Sequence, residues 1–130
     1  MTDNVAARAL MTKARQALRS AHRLIDLEDS DGACNRAYYA MFDAARAALL
    51  IKLGRTEADF AKTHRGLLNA FSEYLIKDGV LTRELGRTLK RAEEMRFLAD
   101  YDGDSVEMGD AVNMVADGEV FIAAIEQFMA

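Results

Sequence analysis

A chain of 130 residues, 51% hydrophobic and 29% charged, has the size and balance of one soluble domain, residues 1–130, which excludes a repeat array or a two-domain enzyme. With no proline, no tryptophan and 8 glycines, it lacks the turn punctuation of an all-β sandwich, and the composition points to helix. A formal net charge of -4 excludes a protein that coats long stretches of nucleic acid by neutralising phosphates, but leaves room for a small local basic site.

Hydrophobic periodicity divides the chain into about five helical segments with short connections, an all-α, up-and-down bundle. The first, about Val5 to Leu27, sets Ala14, Ala17, Leu18, Ala21, Leu24 and Ile25 on one face and Lys13, Arg15, Arg19 and Arg23 on the other. An acidic break from Asp26 to Gly32 ends it and offers Asp29, Ser30 or Asp31 as the next N-cap. The second, about Gly32 to Leu53, is apolar around most of its circumference, as suits the centre of a bundle or a subunit interface, and Gly54 supplies its stop.

Lys62, Thr63 and His64 open a third segment running to about Asp78, with Leu67, Leu68, Phe71, Tyr74 and Leu75 expected inward, and Gly79 closes it. Thr82 is placed to cap a fourth through about Leu98, with Leu85, Leu89, Ala92, Met95 and Ala99 inside. After the loop Asp100 to Asp104, the pair Asp104 and Glu107 reads as a capping box. The last helix carries Met108, Ala111, Val112, Val115, Ile122, Ile125 and Met129 as its packing stripe.

No stretch approaches the roughly 20 apolar residues of a membrane span, and the opening residues carry no apolar block of signal-peptide type, so a cytoplasmic protein without a membrane association is expected. One cysteine, Cys34, and two distant histidines, His22 and His64, cannot assemble a zinc or iron–sulfur site, and no metal is expected. Cys34 reads as a small buried hydrophobe. Phosphate-loop, dinucleotide and nucleophile-elbow motifs are absent, so no cofactor is expected. Arg15 and His22, although six residues separate them, read as surface positions.

Three arginines in apolar surroundings, Arg36, Arg46 and Arg96, stand out because a buried guanidinium needs a compensating partner or an anionic ligand. Two readings follow. Either they form an internal network with carboxylates and tyrosines, or they line a cleft that grips a phosphodiester while tyrosine or histidine handles protons. Tyr38 and Tyr39 are expected to pack in the core and at an interface.

Three segments carry a resemblance: Asn35-Arg-Ala-Tyr-Tyr-Ala-Met-Phe-Asp-Ala-Ala-Arg-Ala-Ala-Leu49, Lys62-Thr-His-Arg-Gly66 and Arg96-Phe-Leu-Ala-Asp-Tyr101. In their order and spacing they resemble the small stand-alone branch of the HEPN superfamily, over about residues 6 to 127. The resemblance implies a helical bundle that pairs into a homodimer through its central helices. It also implies the toxin half of a toxin–antitoxin pair, partnered by a nucleotidyltransferase-like antitoxin. Active members are metal-independent endoribonucleases in which an Arg-x4–6-His motif from each subunit meets across the dimer.

The sequence departs from that motif, because the positions that follow Arg96 at the required spacing are Tyr101, Asp102 and Gly103. With an ordinary pKa near 10, tyrosine is a poor general base at neutral pH. The catalytic candidates are therefore Arg96, Asp100, Tyr101 and His64, with His64 supplying proton chemistry from another helix. Arg36, Tyr39 and Lys62 are the candidates for holding a phosphate or nucleotide. Tyr101, close to that motif but at a spacing that differs from the modified one, is also the candidate for a tyrosine that, as the resemblance implies, an antitoxin modifies with AMP. Two alternatives to an RNA-cutting toxin are a non-catalytic module that binds RNA, a nucleotide or a partner, and an adaptor for the antitoxin in which the arginines serve only as internal salt bridges.

Overall fold

A computed structural model describes residues 2–54, 63–101 and 103–130. Five helices run through them: α1 (Thr2–Asp26), α2 (Ser30–Leu53), α3 (His64–Phe71, continued by a π-helical turn, Ser72–Ile76), α4 (Arg83–Tyr101) and α5 (Met108–Met129). The protein is all-α, and among the described residues there is no strand. No helix among them is long and apolar enough to cross a membrane.

α1 buries Ala7, Met11, Ala14, Leu18 and Ala21, the recurrence at three and four residues that puts one face toward the core. It ends on Glu28, whose φ of 59° is left-handed. The Asp29 N–H then donates to the Leu24 carbonyl at 2.9 Å and the Glu28 N–H to the Ile25 carbonyl at 2.9 Å, which satisfies two of the carbonyls a helix end leaves open. Asp29 at once caps α2, its carboxylate accepting from the Gly32 N–H at 2.8 Å. A Cβ on residue 32 would stand 2.3 Å from Asp29 Oδ2, so any other residue there would turn the capping carboxylate aside.

α2 is the central element. Ala33, Ala37, Ala40, Ala44, Ala45, Ala47 and Ala48 are all fully buried, and their small side chains let α1, α4 and α5 approach its axis closely. Gly118 of α5 serves the same end: a Cβ there would meet Leu18 Cδ1 of α1 at 3.0 Å. Phe71, Phe121, Met41, Leu49 and Ile122 fill the remaining interior.

Four expectations are corrected. The third helix does not run as one α-helix to Asp78: the Lys77 N–H donates to the Ser72 carbonyl at 2.9 Å, a π-type bond that inserts one residue into the turn. That shift keeps Leu75 buried and turns Tyr74 outward, 37% exposed. On α5 the packing stripe passes through Met114 and Phe121 in place of Val112, which is exposed. Nor does the helix start behind Asp104, as the Asp104 and Glu107 capping box required: it begins at Met108 with Glu107 at its N-cap, and the Val106 N–H donates to Asp31 Oδ1 of α2 at 2.8 Å. Finally, Arg96 is buried, but Arg36 and Arg46 are only half-buried.

Candidate functional site

Three helices converge on one polar junction inside an otherwise apolar bundle. α2 supplies Asn35, Arg36, Tyr38, Tyr39 and Phe42; the first turn of α3 supplies His64; the last two turns of α4 supply Glu93, Arg96 and Asp100. His64 is held at this place by a local device: Thr63 caps α3, its hydroxyl accepting from the Gly66 N–H at 2.9 Å, so the helix starts at the histidine.

Arg96 is the centre, with 7% of its surface exposed. Its Nη2 donates to Glu93 Oε2 at 2.9 Å and its Nη1 to Asp100 Oδ2 at 3.2 Å. Glu93 and Asp100 lie three and four residues away on the same helix, the spacings at which side chains meet. The guanidinium carbon also stands 5.2 Å from the centre of the Tyr38 ring, within cation–π range. Burial works against the charged guanidinium, but the bonds to Glu93 and Asp100 outweigh it and raise the pKa above its ordinary value. Among the described residues the buried Nε atom of Arg96 has no hydrogen-bond partner.

Tyr38 is fully buried, and its hydroxyl is 2.7 Å from His64 Nδ1. Burial, and then the neighbouring Glu93 carboxylate, push this phenol well above the usual tyrosine range, so it stays protonated at any pH at which the protein works. The imidazole sits in an aromatic cage, with ring centres of Phe42, Tyr38 and Tyr39 at 5.1, 5.5 and 5.9 Å. Its Nδ1 is 3.9 Å from Glu93 Oε2. One junction therefore joins arginine, histidine, tyrosine and two carboxylates.

Other candidates are more loosely attached. Arg36 lies over the Tyr39 ring at 5.4 Å and donates to Asn35 Oδ1 at 3.4 Å. Asn35 in turn donates to Asp100 Oδ1 at 3.4 Å, which ties the start of α2 to the end of α4. Tyr101 is 70% exposed and packs on Phe97 at 4.8 Å between ring centres; no hydrogen bond among the described residues joins it to Arg96. Lys62 lies outside the described residues. Arg15 and His22 sit across the bundle, where both bind Glu119, at 3.2 and 2.9 Å. Cys34 is buried, and desolvation together with Asp31 and Asp110 pushes its thiol up to about 11, which leaves it unreactive.

Sequence reasoning missed Glu93 and gave Tyr38 to packing alone. The signal for Glu93 was its place three residues before Arg96, since a buried arginine on a helix draws its carboxylates from the adjacent turns. Nothing in the sequence pairs Tyr38 with His64, which are 26 positions apart.

A match to the HEPN domain family spans residues 7–128. The chain is 36% identical over 124 residues to the "UPF0332 protein glr0978" of Gloeobacter violaceus, covering 93% of this chain and 94% of that one. It is 35% identical over 119 residues to a "UPF0332 protein" of Thermotoga maritima, covering 90% of this chain and 86% of that one. To the "Putative toxin MJ0605" of Methanocaldococcus jannaschii it is 29% identical over 119 residues, 92% of this chain and 85% of that protein. With that match laid over an all-α bundle whose helices converge on Arg96, the chain belongs to the HEPN domain family.

Proposed function

We propose that this protein is a toxin-type endoribonuclease that works without a metal ion, as a cytoplasmic homodimer restrained by a nucleotidyltransferase-like antitoxin, with residues 1–130 acting as one domain. The observation that carries this reading is the junction itself: a buried arginine beside a histidine that a buried phenol holds at 2.7 Å. Relatives named as toxins support the biological class.

The chemistry assigned to these residues is transesterification. The ribose 2′-hydroxyl attacks the neighbouring phosphorus, the P–O5′ bond breaks, and a 2′,3′-cyclic phosphate and a 5′-hydroxyl result. A base must take the 2′-proton, an acid must give one to the departing oxygen, and a cation must hold the charge that builds on the phosphorane. Arg96 is the cation. Its Asp100 bond is longer than its Glu93 bond and is the one that a phosphate oxygen exchanges with.

His64 is the proton carrier in place of the histidine missing after Arg96. Tyr38 has a single proton; when that proton points to the Glu93 carboxylate, His64 Nδ1–H donates to the phenol oxygen and Nε2 keeps its lone pair. Two subunits then supply one imidazole as base and one as acid. Arg36, Tyr39 and Lys62 hold the flanking phosphate. The half-buried stripe Arg36, Tyr39, Asp43, Arg46 and Leu50 on α2 offers both charge signs to a second copy and supports pairing through that helix.

A second reading draws on the saturation of Arg96 by Glu93 and Asp100, which favours a non-catalytic module that binds RNA or a nucleotide. Incubation with defined RNA in EDTA, with Arg96→Met and His64→Ala alongside, separates the two. The nuclease reading expects 2′,3′-cyclic ends from the wild type alone. Absence of any cut by a folded dimer that still binds RNA establishes the module in its place.

A further inference from the structure

A groove of about 1040 Å³ runs between α3 and α4, and His64 and Glu93 are among the residues that line it. Arg65, Arg83, Arg87 and Lys90 line it, together with Phe97 and Leu98. Four cations in one groove are conspicuous on a chain whose formal net charge is -4. Among the described residues Arg65, Arg83 and Lys90 make no ion pair, and Arg87 has only Glu84 at 3.3 Å. The groove's two carboxylates are Glu93, already bound by Arg96, and Glu94. Phe97 and Leu98 are 54% and 51% exposed, large apolar groups left in water beside these cations.

We propose that this groove is the path along which a single-stranded RNA runs to the Arg96 and His64 junction. The proposal rests on the ribonuclease reading for the chemistry at its end, but not for binding. A cationic trough follows a polyanionic backbone, while an exposed aromatic face accepts an unpaired base by stacking, and together these are the two components of sequence-tolerant single-strand recognition. A duplex buries its base faces and gains nothing from Phe97, so the pairing of charge with exposed ring selects the unpaired strand.

The test measures binding apart from cleavage. A fluorescent 12-nucleotide RNA carrying 2′-O-methyl groups, which removes the attacking hydroxyl, is titrated with the full chain at two salt concentrations, beside the same strand annealed to its complement. The expected results are at least tenfold tighter binding of the single strand and a loss of about tenfold or more in Arg87→Glu/Lys90→Glu with a shallower salt dependence. Phe97→Ala is expected to weaken the single strand about fivefold or more and leave the duplex unchanged. All three substitutions fall on exposed positions, and circular dichroism confirms that each variant is folded.

Equal affinity for strand and duplex overturns the proposal, as does charge reversal without effect. Binding of polyglutamate with the same affinity and the same sensitivity to the variants overturns it in favour of an acidic protein partner. If His64→Ala abolishes cleavage but keeps wild-type binding, and the groove variants lose binding, groove and chemistry are both upheld. If the groove variants lose binding while no RNA is ever cut, the ribonuclease reading fails and the groove stands.

Discussion

Replacing Arg96 by methionine tests whether the junction holds the bundle together. The substitution keeps most of the side-chain volume and removes the charge, so Glu93 and Asp100 lose hydrogen bonds of 2.9 and 3.2 Å and the Tyr38 ring loses its cation. A hydrogen bond to a charged group contributes about 1.5–3 kcal/mol, and breaking a buried pair from one side costs about 3–5 kcal/mol. Two features pull the figure to the lower end. Glu93 and Asp100 keep 25% and 30% of their side-chain surface exposed and can rehydrate, and the unpartnered Nε leaves with the arginine. A loss of about 3 kcal/mol is expected, which lowers Tm by about 12 °C for a chain of this size. Urea denaturation at neutral pH measures it, and adding Glu93→Gln restores about 1 kcal/mol by removing the stranded carboxylate. A loss below about 1 kcal/mol refutes the view that the network stabilises the fold. Since a domain of this kind has about 5–15 kcal/mol in hand, the variant stays folded at 25 °C, and lost cleavage reports on chemistry.

Tyr38→Phe removes the 2.7 Å bond to His64 and the phenol's interaction with the Glu93 carboxylate; it costs about 1 kcal/mol, because the half-exposed imidazole and the part-exposed carboxylate find water, but lowers cleavage about tenfold on the proposed mechanism, measured as single-turnover rate. Glu28→Gly relieves a left-handed non-glycine residue at φ 59° and raises Tm by about 4 °C, corresponding to about 1 kcal/mol. The Arg15 hydrogen bond, against a smaller effect of burial, holds the Glu126 carboxyl below its ordinary 4.5. Its stabilisation is therefore present above about pH 4.5 and lost as pH falls through the lower folded value. Glu126→Gln accordingly costs about 0.5 kcal/mol at neutral pH, and the cost shrinks as the pH is lowered below about 4.5 in a urea titration, the small figure reflecting solvent screening. Tyr101→His in a His64→Ala background does not restore cleavage, because residue 101 is 70% exposed and turned onto Phe97; recovery to within tenfold of wild type would return the proton chemistry to the end of α4.

The helices were legible because their signals are local. The α1 stripe from Ala14 to Ala21, the stops at Gly54 and Gly79 with φ of 84° and 76°, the cap at Asp29 and the helix opening at Thr63 and His64 each depend on residues within one turn. Tyr74 was misplaced because periodicity assumes a constant 3.6 residues per turn, and the π turn at Ser72–Ile76 breaks that count. The stripe on α5 shifted from Val112 to Met114 because a helix packed on two neighbours, α1 and α2, buries a wider arc than a single heptad seam.

The junction was legible only in part, and the division follows sequence distance. Arg96 and Asp100 are one turn apart, so a buried arginine with an acidic neighbour could be read directly. Arg36 and Arg46 share the same apolar neighbours in sequence, but both stay only half-buried, a matter of how helices are arranged around an axis. The bond between Tyr38 and His64 depends on that same arrangement. A fully buried phenol needs a partner for its hydroxyl, so once α2 is central, one polar group from a neighbouring helix start must face Tyr38. His64, fixed as the first residue of α3 by the Thr63 cap, is the group so placed. Burial of the phenol and placement of the imidazole thus satisfy one requirement, and a histidine here contributes to folding whether or not RNA is cut. For this reason the decisive comparison is stability against cleavage in the same variant: a merely structural histidine loses both together, whereas a proton carrier replaced by asparagine keeps its hydrogen bond to Tyr38 and loses cleavage alone.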